Sequence, residues 1–490
     1  MRSARITLIV IAVMPAVCTA ACATRQSHAS IIAAAQRPIL VTGAPGGIAA
    51  GPASIAASMP AAAPSGPMVP TAAAVGPVTG VPTAGAPVAP APGGPSSAAV
   101  TATAPKGAGG PTTQQTSAAG GKQDTTPVQL CQEGSFTGQA GPPLGNAQVG
   151  LAAWVRWTNA HGGLAGHPIK LDSKDDAQDN NKALQITQNC VENEHAVAFV
   201  ASMMVVSADT VGPYLAQHKV PVVGGDALTD TWYTNPYFFP EGASPDGLTA
   251  GAVKVWKTQG KTSPAVVYCV ESQACPQAEQ SVAKAAQAQG IPVKATYQVS
   301  LANPSFTSQC SDMKSKHIDA IYLSLDGSGL QRLARDCNAI GFKPLYTTGS
   351  LAMQADTVAA DPNLEGLTVA TGVFPWITST VPSSQDFQAA MATYAPTTST
   401  SESAAIGWTS GQLLAAAIAE VGAAAHTQPI TSAMIVEGLD RIKNNNIGGL
   451  VMGALTFTAG QPAPRLHCTG VATLTGGKWT APNGGSGSCT

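Results

Sequence analysis

Ala196-Val197-Ala198-Phe199-Val200, then Ser207 ahead of a helical pattern ending near His218, then Val220-Pro221-Val222-Val223: this stretch decides the fold. A short β-branched run, a polar turn, a helix and a second β-branched run make one βαβ unit, which joins parallel strands. The grammar recurs. Ala265-Val266-Val267-Tyr268 leads to a helical pattern over about 277–289 and on to Pro292-Val293-Lys294-Ala295. Asp319-Ala320-Ile321-Tyr322-Leu323 leads to one over about 329–340 and on to Pro344-Leu345-Tyr346. Two series of similar build predict an α/β protein of two lobes, each a doubly wound parallel sheet.

Outward from these units the composition changes. The chain has 490 residues, 25 Lys+Arg against 27 Asp+Glu, and a net charge of −2. That balance excludes the basic footprint of a nucleic-acid binder. Gly and Pro together make up about 18% of the chain, against roughly 12% in average usage. The surplus is concentrated: from Ala23 to about Pro127 the sequence is almost wholly Ala, Pro, Gly, Ser, Thr and Val. Between Gly43 and Gly121 the only charge is Lys106, and no aromatic residue occurs. Such a segment cannot bury enough apolar surface to offset its ordering entropy. It reads as a disordered tether over 22–127, about 105 residues with a flexible-coil span of roughly 55–60 Å.

Residues 1–21 have the zones of an export signal. Arg2 and Arg5 precede an apolar core from Ile6 to Val17, broken by Thr7 and Pro15, and Thr19-Ala20-Ala21 leads into Cys22. The core is about 12 residues, short of the ~20 that a spanning helix needs. Cys22 resembles the acylated cysteine of a bacterial lipoprotein, although Thr19 stands where such signals usually carry Leu. That reading places the protein outside the cytoplasm on a lipid anchor; ordinary cleavage near Ala21 or Ala23 would make it a secreted protein.

The remaining 128–490 carries eight cysteines, Cys131, Cys190, Cys269, Cys275, Cys310, Cys337, Cys468 and Cys489. No CxxC occurs, so disulfides in an oxidising compartment are favoured over zinc or thioredoxin chemistry. Short spacing pairs Cys269 with Cys275 and Cys468 with Cys489. Cys310 and Cys337 bracket one βα unit, which leaves Cys131 for Cys190. Eight cysteines allow 105 pairings, so this set is one hypothesis among them.

Catalytic signatures are missing. No G-x-S-x-G stands at a strand-to-helix turn, no H-E-x-x-H occurs, and Gly260-Lys261-Thr262 has Val255 where a phosphate loop needs glycine. Asp172, Asp175, Asp176 and Asp179 read as a loop with Asp179 at a helix N-cap rather than as a calcium site. The expectation is a binding protein without catalytic residues, metal or cofactor. Parallel sheets take ligands at the carboxyl ends of their strands. Here those ends are Glu133-Gly134-Ser135-Phe136-Thr137-Gly138, 202–209, and Gly224-Gly225-Asp226-Ala227. Ser207 precedes a helix, where it can meet an anion, cap its own helix, or do both.

With Gly150, Asn159-Ala160-His161-Gly162-Gly163-Leu164-Ala165-Gly166 and Asp175-Asp176-Ala177-Gln178-Asp179 added, the opening resembles the branched-chain amino acid (Leu/Ile/Val) binding proteins of ABC transporters. These have the type I periplasmic binding protein fold. The resemblance covers most of 128–460. It implies a ligand clamped between lobe one, 128–243 with 374–453, and lobe two, 244–373 with 454–490. It also implies hinge crossings near 242–246, 371–375 and 453–457, a membrane permease as partner, and a monomer.

The family's contact positions fall at Val206 or Ser207, at 226–228, near Pro143, near Gln273, near Asp326 and near Ser350. The family's aromatic clamp and its acid for the ligand amine are absent from those places. The pocket candidates are Thr137, Gln139, Ser207, Asp226, Ala227, Glu271, Gln273, Asp326 and Ser350, which point to a small polar ligand, amino-acid-like or otherwise. Trp232, Trp376 and Trp408 offer stacking, although each also suits a core position. The alternatives to an importer component are a sensor domain of the same fold, an α/β enzyme, and a wall-associated structural protein.

Overall fold

The computed structural model describes residues 123–138, 141–272, 274–349 and 355–490. Cys22, the signal segment and all but the end of the tether lie outside them, as do Gln139, Gln273 and Ser350.

The first sheet is parallel throughout, in the order β2 (Ile169–Asp175), β1 (Val128–Gly134), β3 (Ala198–Ser202), β4 (Val222–Gly225), β5 (Phe238–Phe239). Strand periodicity divides its side chains between two faces. Leu130, Val200 and Val223 belong to the core under helices α1 (Asn146–Ala160), α9 (Glu402–Val421) and α10 (Ser432–Arg441). Cys131, Phe199 and Val222 belong to the opposite core, under α2 (Asn180–Glu192) and α3 (Ala208–His218). Helices α1 and α9 cross very closely. A Cβ on Gly150 would stand 2.0 Å from the Ala404 carbonyl oxygen, so only glycine permits that approach.

The second sheet runs β12 (Lys478–Thr480), β11 (Cys468–Thr475), β10 (Thr368–Thr371), β9 (Leu345–Gly349), β8 (Ala320–Ser324), β6 (Pro264–Cys269), β7 (Ala295–Val299), with β13 (Ser488–Cys489) on β11. Strands β6 to β10 are parallel and arise from βαβ units. The parallel core of the second sheet is as expected, and β11, β12 and β13 add antiparallel strands at its edge, so that this sheet is mixed. The cause lies after the third crossing. The chain enters at the sheet edge with no further helix, and Gly476-Gly477 turn it back as a hairpin. Helices α4 (Pro245–Thr258) and α5 (Ala274–Ala288) cover one face; α6 (Thr307–Ser315) and α7 (Gly327–Ala339) cover the other. Trp256 of α4 is fully buried, and its indole N–H donates to the Thr347 hydroxyl at 2.9 Å.

Among the described residues the chain passes three times between the sheets. It goes from β5 to α4, from β10 to α8 (Pro382–Tyr394), and from a 3-10 turn at Ile447–Gly449 to β11. The passages touch one another: the Ala243 N–H donates to the Gly372 carbonyl at 2.9 Å, and Val373 bridges Val451. Arg465, on the third passage, pairs with Asp230 beside the first sheet and with Asp246 at the start of α4. Its guanidinium lies 4.4 Å from the centre of the Tyr233 ring.

The disulfides are Cys131–Cys190, Cys269–Cys275, Cys310–Cys337 and Cys468–Cys489, the set that spacing suggested. The last tether residues, 123–127, are held against lobe one. The Asp124 N–H donates to the His426 carbonyl at 2.9 Å, and buried His167 meets the Thr126 carbonyl at 2.8 Å. No helix among the described residues is long and apolar enough to cross a membrane. Trp232, Trp376 and Trp408 are fully buried, which assigns them to the core rather than to stacking on a ligand.

Candidate functional site

The strand ends of lobe one are built from a buried carboxylate outward. Glu133, at the end of β1, is fully buried. Its Oε1 accepts from the Ser207 hydroxyl at 3.2 Å, while Oε2 has no hydrogen bond. Burial, and after it the neighbouring Asp176 carboxyl, holds its pKa well above the ordinary glutamate value. Ser207 does not take the capping role expected of it: it is buried, makes no side-chain cap, and its hydroxyl donates to Glu133. The side chain that does emerge from this loop is Val206, 41% exposed.

The loop after β1 is pinned by the aspartates of β2. Asp175 accepts from the Phe136 N–H at 2.9 Å, the Thr137 N–H at 3.1 Å and the Thr137 hydroxyl. Partial burial raises its pKa, but these donors outweigh that and hold it below the usual carboxylate range. Asp176 accepts from the Ser135 hydroxyl and the Gln178 N–H, and Asp179 caps α2. The aspartate cluster thus serves as loop scaffolding. Thr137 is exposed and tied to Asp175.

From the end of β4 onward, Gly224, Gly225 and Ala227 all have positive φ, and at Ala227 the value of 51° is a strained conformation for a residue with a Cβ. Asp226 and Ala227 are buried. Asp226 Oδ1 accepts from the Leu228 N–H at 2.9 Å and Oδ2 has no hydrogen bond. Burial raises the Asp226 pKa to about 7. Two further acids stand behind it at the hinge. Glu241 accepts from the Gly225 N–H at 3.0 Å, and Glu402, at the start of α9, accepts from the Gly372 N–H. Burial pushes each to about 8. No sequence periodicity marks Glu133, Glu241 or Glu402. Their burial arises from contacts distant in sequence, Glu133 with Ser207, Glu241 with Gly225 and Glu402 with Gly372.

Lobe two treats its acids differently. Glu271 is exposed and accepts from the Ser300 hydroxyl at 2.6 Å and the Leu301 N–H at 2.8 Å. Those donors, the Ser300 hydroxyl foremost, lower its pKa. Asp326 caps α7, accepting from the Gly329 N–H at 2.9 Å and the Ser328 hydroxyl at 2.7 Å. Beside Glu271, Val270 is 50% exposed. Thr137, Ser207, Asp226 and Ala227 therefore gather at the carboxyl edge of the first sheet, and Glu271 and Asp326 at that of the second. A separate recess of about 860 Å³ opens elsewhere on lobe one, between His195, Val197, His218, Tyr237 and Val436.

The profile of a periplasmic binding protein family matches residues 132–478, and the chain belongs to that family. No curated protein matches the sequence. Among solved structures, a branched-chain amino acid ABC transporter protein from Thermus thermophilus with bound valine superposes with a TM-score of 0.65 at 14% identity, covering 75% of this chain and 97% of that one. A possible leucine/isoleucine/valine-binding protein from Rhodopirellula baltica gives 0.62 at 15%, covering 74% and 98%. A solute-binding protein from R. palustris in complex with benzoate gives 0.60 at 16%, covering 74% and 98%. The protein is a two-lobed extracytoplasmic solute-binding protein of type I architecture, and a binder rather than an enzyme. The finer expectation of a Leu/Ile/Val ligand is not carried by these likenesses, since the similar structures hold different solutes.

Proposed function

We propose that this protein is the solute-capturing component of an ABC importer. It takes one small ligand between the carboxyl edges of its two sheets and, once closed, presents it to a membrane permease. The observation that carries the reading is the threefold passage of the chain between two sheets, with the passages bonded to each other at Ala243 and Gly372. Such a cross-link lets two rigid lobes bend as bodies around a few residues. The similar ABC transporter proteins from Thermus thermophilus and R. palustris support the same partner.

In this reading the bending bodies are 128–243 with 374–453 and 244–373 with 454–490. Cys22 carries lipid, and the tether lifts a monomeric binding unit off the membrane. Thr137, Gln139, Gln273 and Ser350 meet the polar groups of the ligand. Ser207, Asp226, Ala227, Glu271 and Asp326 shape the loops that hold those groups. Native mass spectrometry of the full chain from its producing cells tests the proposal. One small molecule bound per chain is expected. A chain that carries no solute, and whose interlobe distance no small molecule alters, would sink it.

A further inference from the structure

The chain ends by returning to the passages between the sheets. After β12, the Gly484 N–H donates to the Ala481 carbonyl at 3.0 Å and the Ser486 N–H to the Asn483 carbonyl at 3.1 Å, so 481–486 folds as successive turns. Strand β13 then pairs with the start of β11, Ser488 opposite Thr469 and Cys489 opposite Cys468. The Cys468–Cys489 disulfide closes the excursion across a sequence separation of 21. The Lys254 ammonium of α4 donates to the Cys489 carbonyl at 2.9 Å, and the Thr490 N–H to the His467 carbonyl at 3.0 Å. The segment is therefore rooted on the second sheet and its helix.

Its turns rest on other ground. A Cβ on Gly487 would stand 2.1 Å from the Met452 carbonyl oxygen, in the third passage. One on Gly485 would stand 3.1 Å from the side chains of Thr378 and Thr380, in the second. The second passage is in turn held by α8: the Gln388 side-chain amide donates to the Trp376 carbonyl at 2.6 Å and to the Thr378 carbonyl at 3.2 Å. Phe387 of that helix meets Trp408 of α9, under the first sheet, with ring centres 5.9 Å apart. Gly453 closes on the disulfide, since a Cβ there would stand 2.8 Å from Cys468 Sγ. The C-terminal segment thus reaches from the second sheet onto two of the three passages, and the disulfide pins its far end.

That pin is open to solvent. Cys489 is exposed, whereas both cysteines of each of the other three disulfides are buried. A thiolate reaches an accessible sulfur far more readily than a buried one. Once the bond is open, a two-residue strand and a mostly exposed, glycine-rich turn bury little to offset the entropy of ordering the segment.

We propose that residues 481–490 are a thiol-operated clasp on the hinge: with Cys468–Cys489 closed they hold the second and third passages to the second sheet, and a dithiol that opens the bond frees those passages to bend. A thiolate of the dithiol attacks the Cys489 sulfur, the S–S bond breaks, and Cys468 leaves as a thiolate that takes up a proton. The second thiol gives up its proton, attacks its partner's sulfur in the mixed disulfide and displaces Cys489. The dithiol ends as a disulfide, and its two electrons reside in two cysteine thiols. The clasp concerns the stiffness of the passages and stands whether or not the protein delivers a solute.

Brief dithiothreitol treatment of the folded full chain, with alkylation and peptide mass spectrometry, tests access to the pin. Cys468 and Cys489 are expected to be alkylated about tenfold or more faster than the six buried cysteines. Hydrogen exchange then compares the oxidised chain with the selectively reduced one. Protection at 372–381 and 450–455 is expected to fall about tenfold on reduction, while β1 and β6 keep theirs. Cys468→Ser with Cys489→Ser is expected to show the same loosening without reductant; reduction of the wild-type chain carries the test if that variant fails to fold. Reduction of all four bonds at one rate, or of none, overturns the proposal. A loss of protection confined to 481–490 overturns it too, because the bond would then tie down the chain end alone.

Discussion

The two lobes handle ionisable groups in opposite ways. Lobe one buries Glu133, Asp226, Glu241 and Glu402 without a basic partner, and burial raises all four pKa values. Lobe two keeps Glu271 and Asp312 at its surface and surrounds buried Asp336 with donors. Ser300 lowers Glu271, Lys316 lowers Asp312, and the Phe306 N–H with Ser305 and Arg335 outweighs burial at Asp336. Asp175 is lobe one's exception. The difference follows from packing. Lobe one closes its acids beneath the hinge segments and the tightly crossed α1 and α9, whereas lobe two sets its acids in loops and caps.

The largest test of that contrast concerns close packing. Gly150→Leu in lobe one drives a side chain into the backbone of α9, and a loss of about 3 kcal/mol or more is expected. Gly290→Ala in lobe two has open space around it and only a φ of 78° to oppose it, so about 1 kcal/mol is expected. Urea unfolding, with hydrogen exchange resolved by lobe, measures both. Equal losses would remove the packing half of the comparison.

A second, intermediate effect concerns pH. The raised acids bind protons more tightly in the folded than in the unfolded state, where carboxyls titrate near 4. Their contribution is therefore largest below about pH 4, falls as pH rises through about 7 to 8, and is level above that. The lowered acids of lobe two act in the other direction and lose their contribution as pH falls through their folded values. Melting followed from pH 5 to 9 is expected to show lobe one weakening as pH rises. Glu241→Gln with Glu402→Gln should flatten that fall; an unchanged slope would mean these acids do not carry it.

The smallest effect is a cap. Asp326→Ala removes the acceptor for the Gly329 N–H and is expected to cost lobe two about 1 kcal/mol, with lobe one's melting unaltered. A shift shared by both lobes would show that they unfold as one unit.

Much of the fold is legible in particular residues. The runs at Ala198–Ser202, Pro264–Cys269 and Ala320–Ser324 announce parallel strands, because β-branched residues between helical patterns have few other arrangements. The antiparallel end of the second sheet was less legible, since Cys468–Thr475 has no helix after it to mark a βαβ unit. At the site, the strand-end loops were legible and the roles of their side chains were not. Ser207 and Asp226 look like ligand contacts in sequence and are buried, while Val206, the alternative to Ser207 as a contact position, is exposed. Polarity in a sequence does not tell which way a loop turns.

The sequence by itself determined the two α/β series and the separation of a Gly/Pro-rich tether from a binding unit, and its cysteine spacing suggested the disulfide set that forms. These are local matters of propensity, spacing and composition, decided over a few tens of residues. Tertiary structure alone decided that acids from the end of β1, the loop after β4, the passage from β5 to α4 and the start of α9 meet in one dry region, and that Glu271 and Asp326 are engaged by their own lobe. Those facts depend on contacts between residues as distant as Gly224 and Ser410, which come together only when three crossings and a glycine-tight pair of helices fix the lobes.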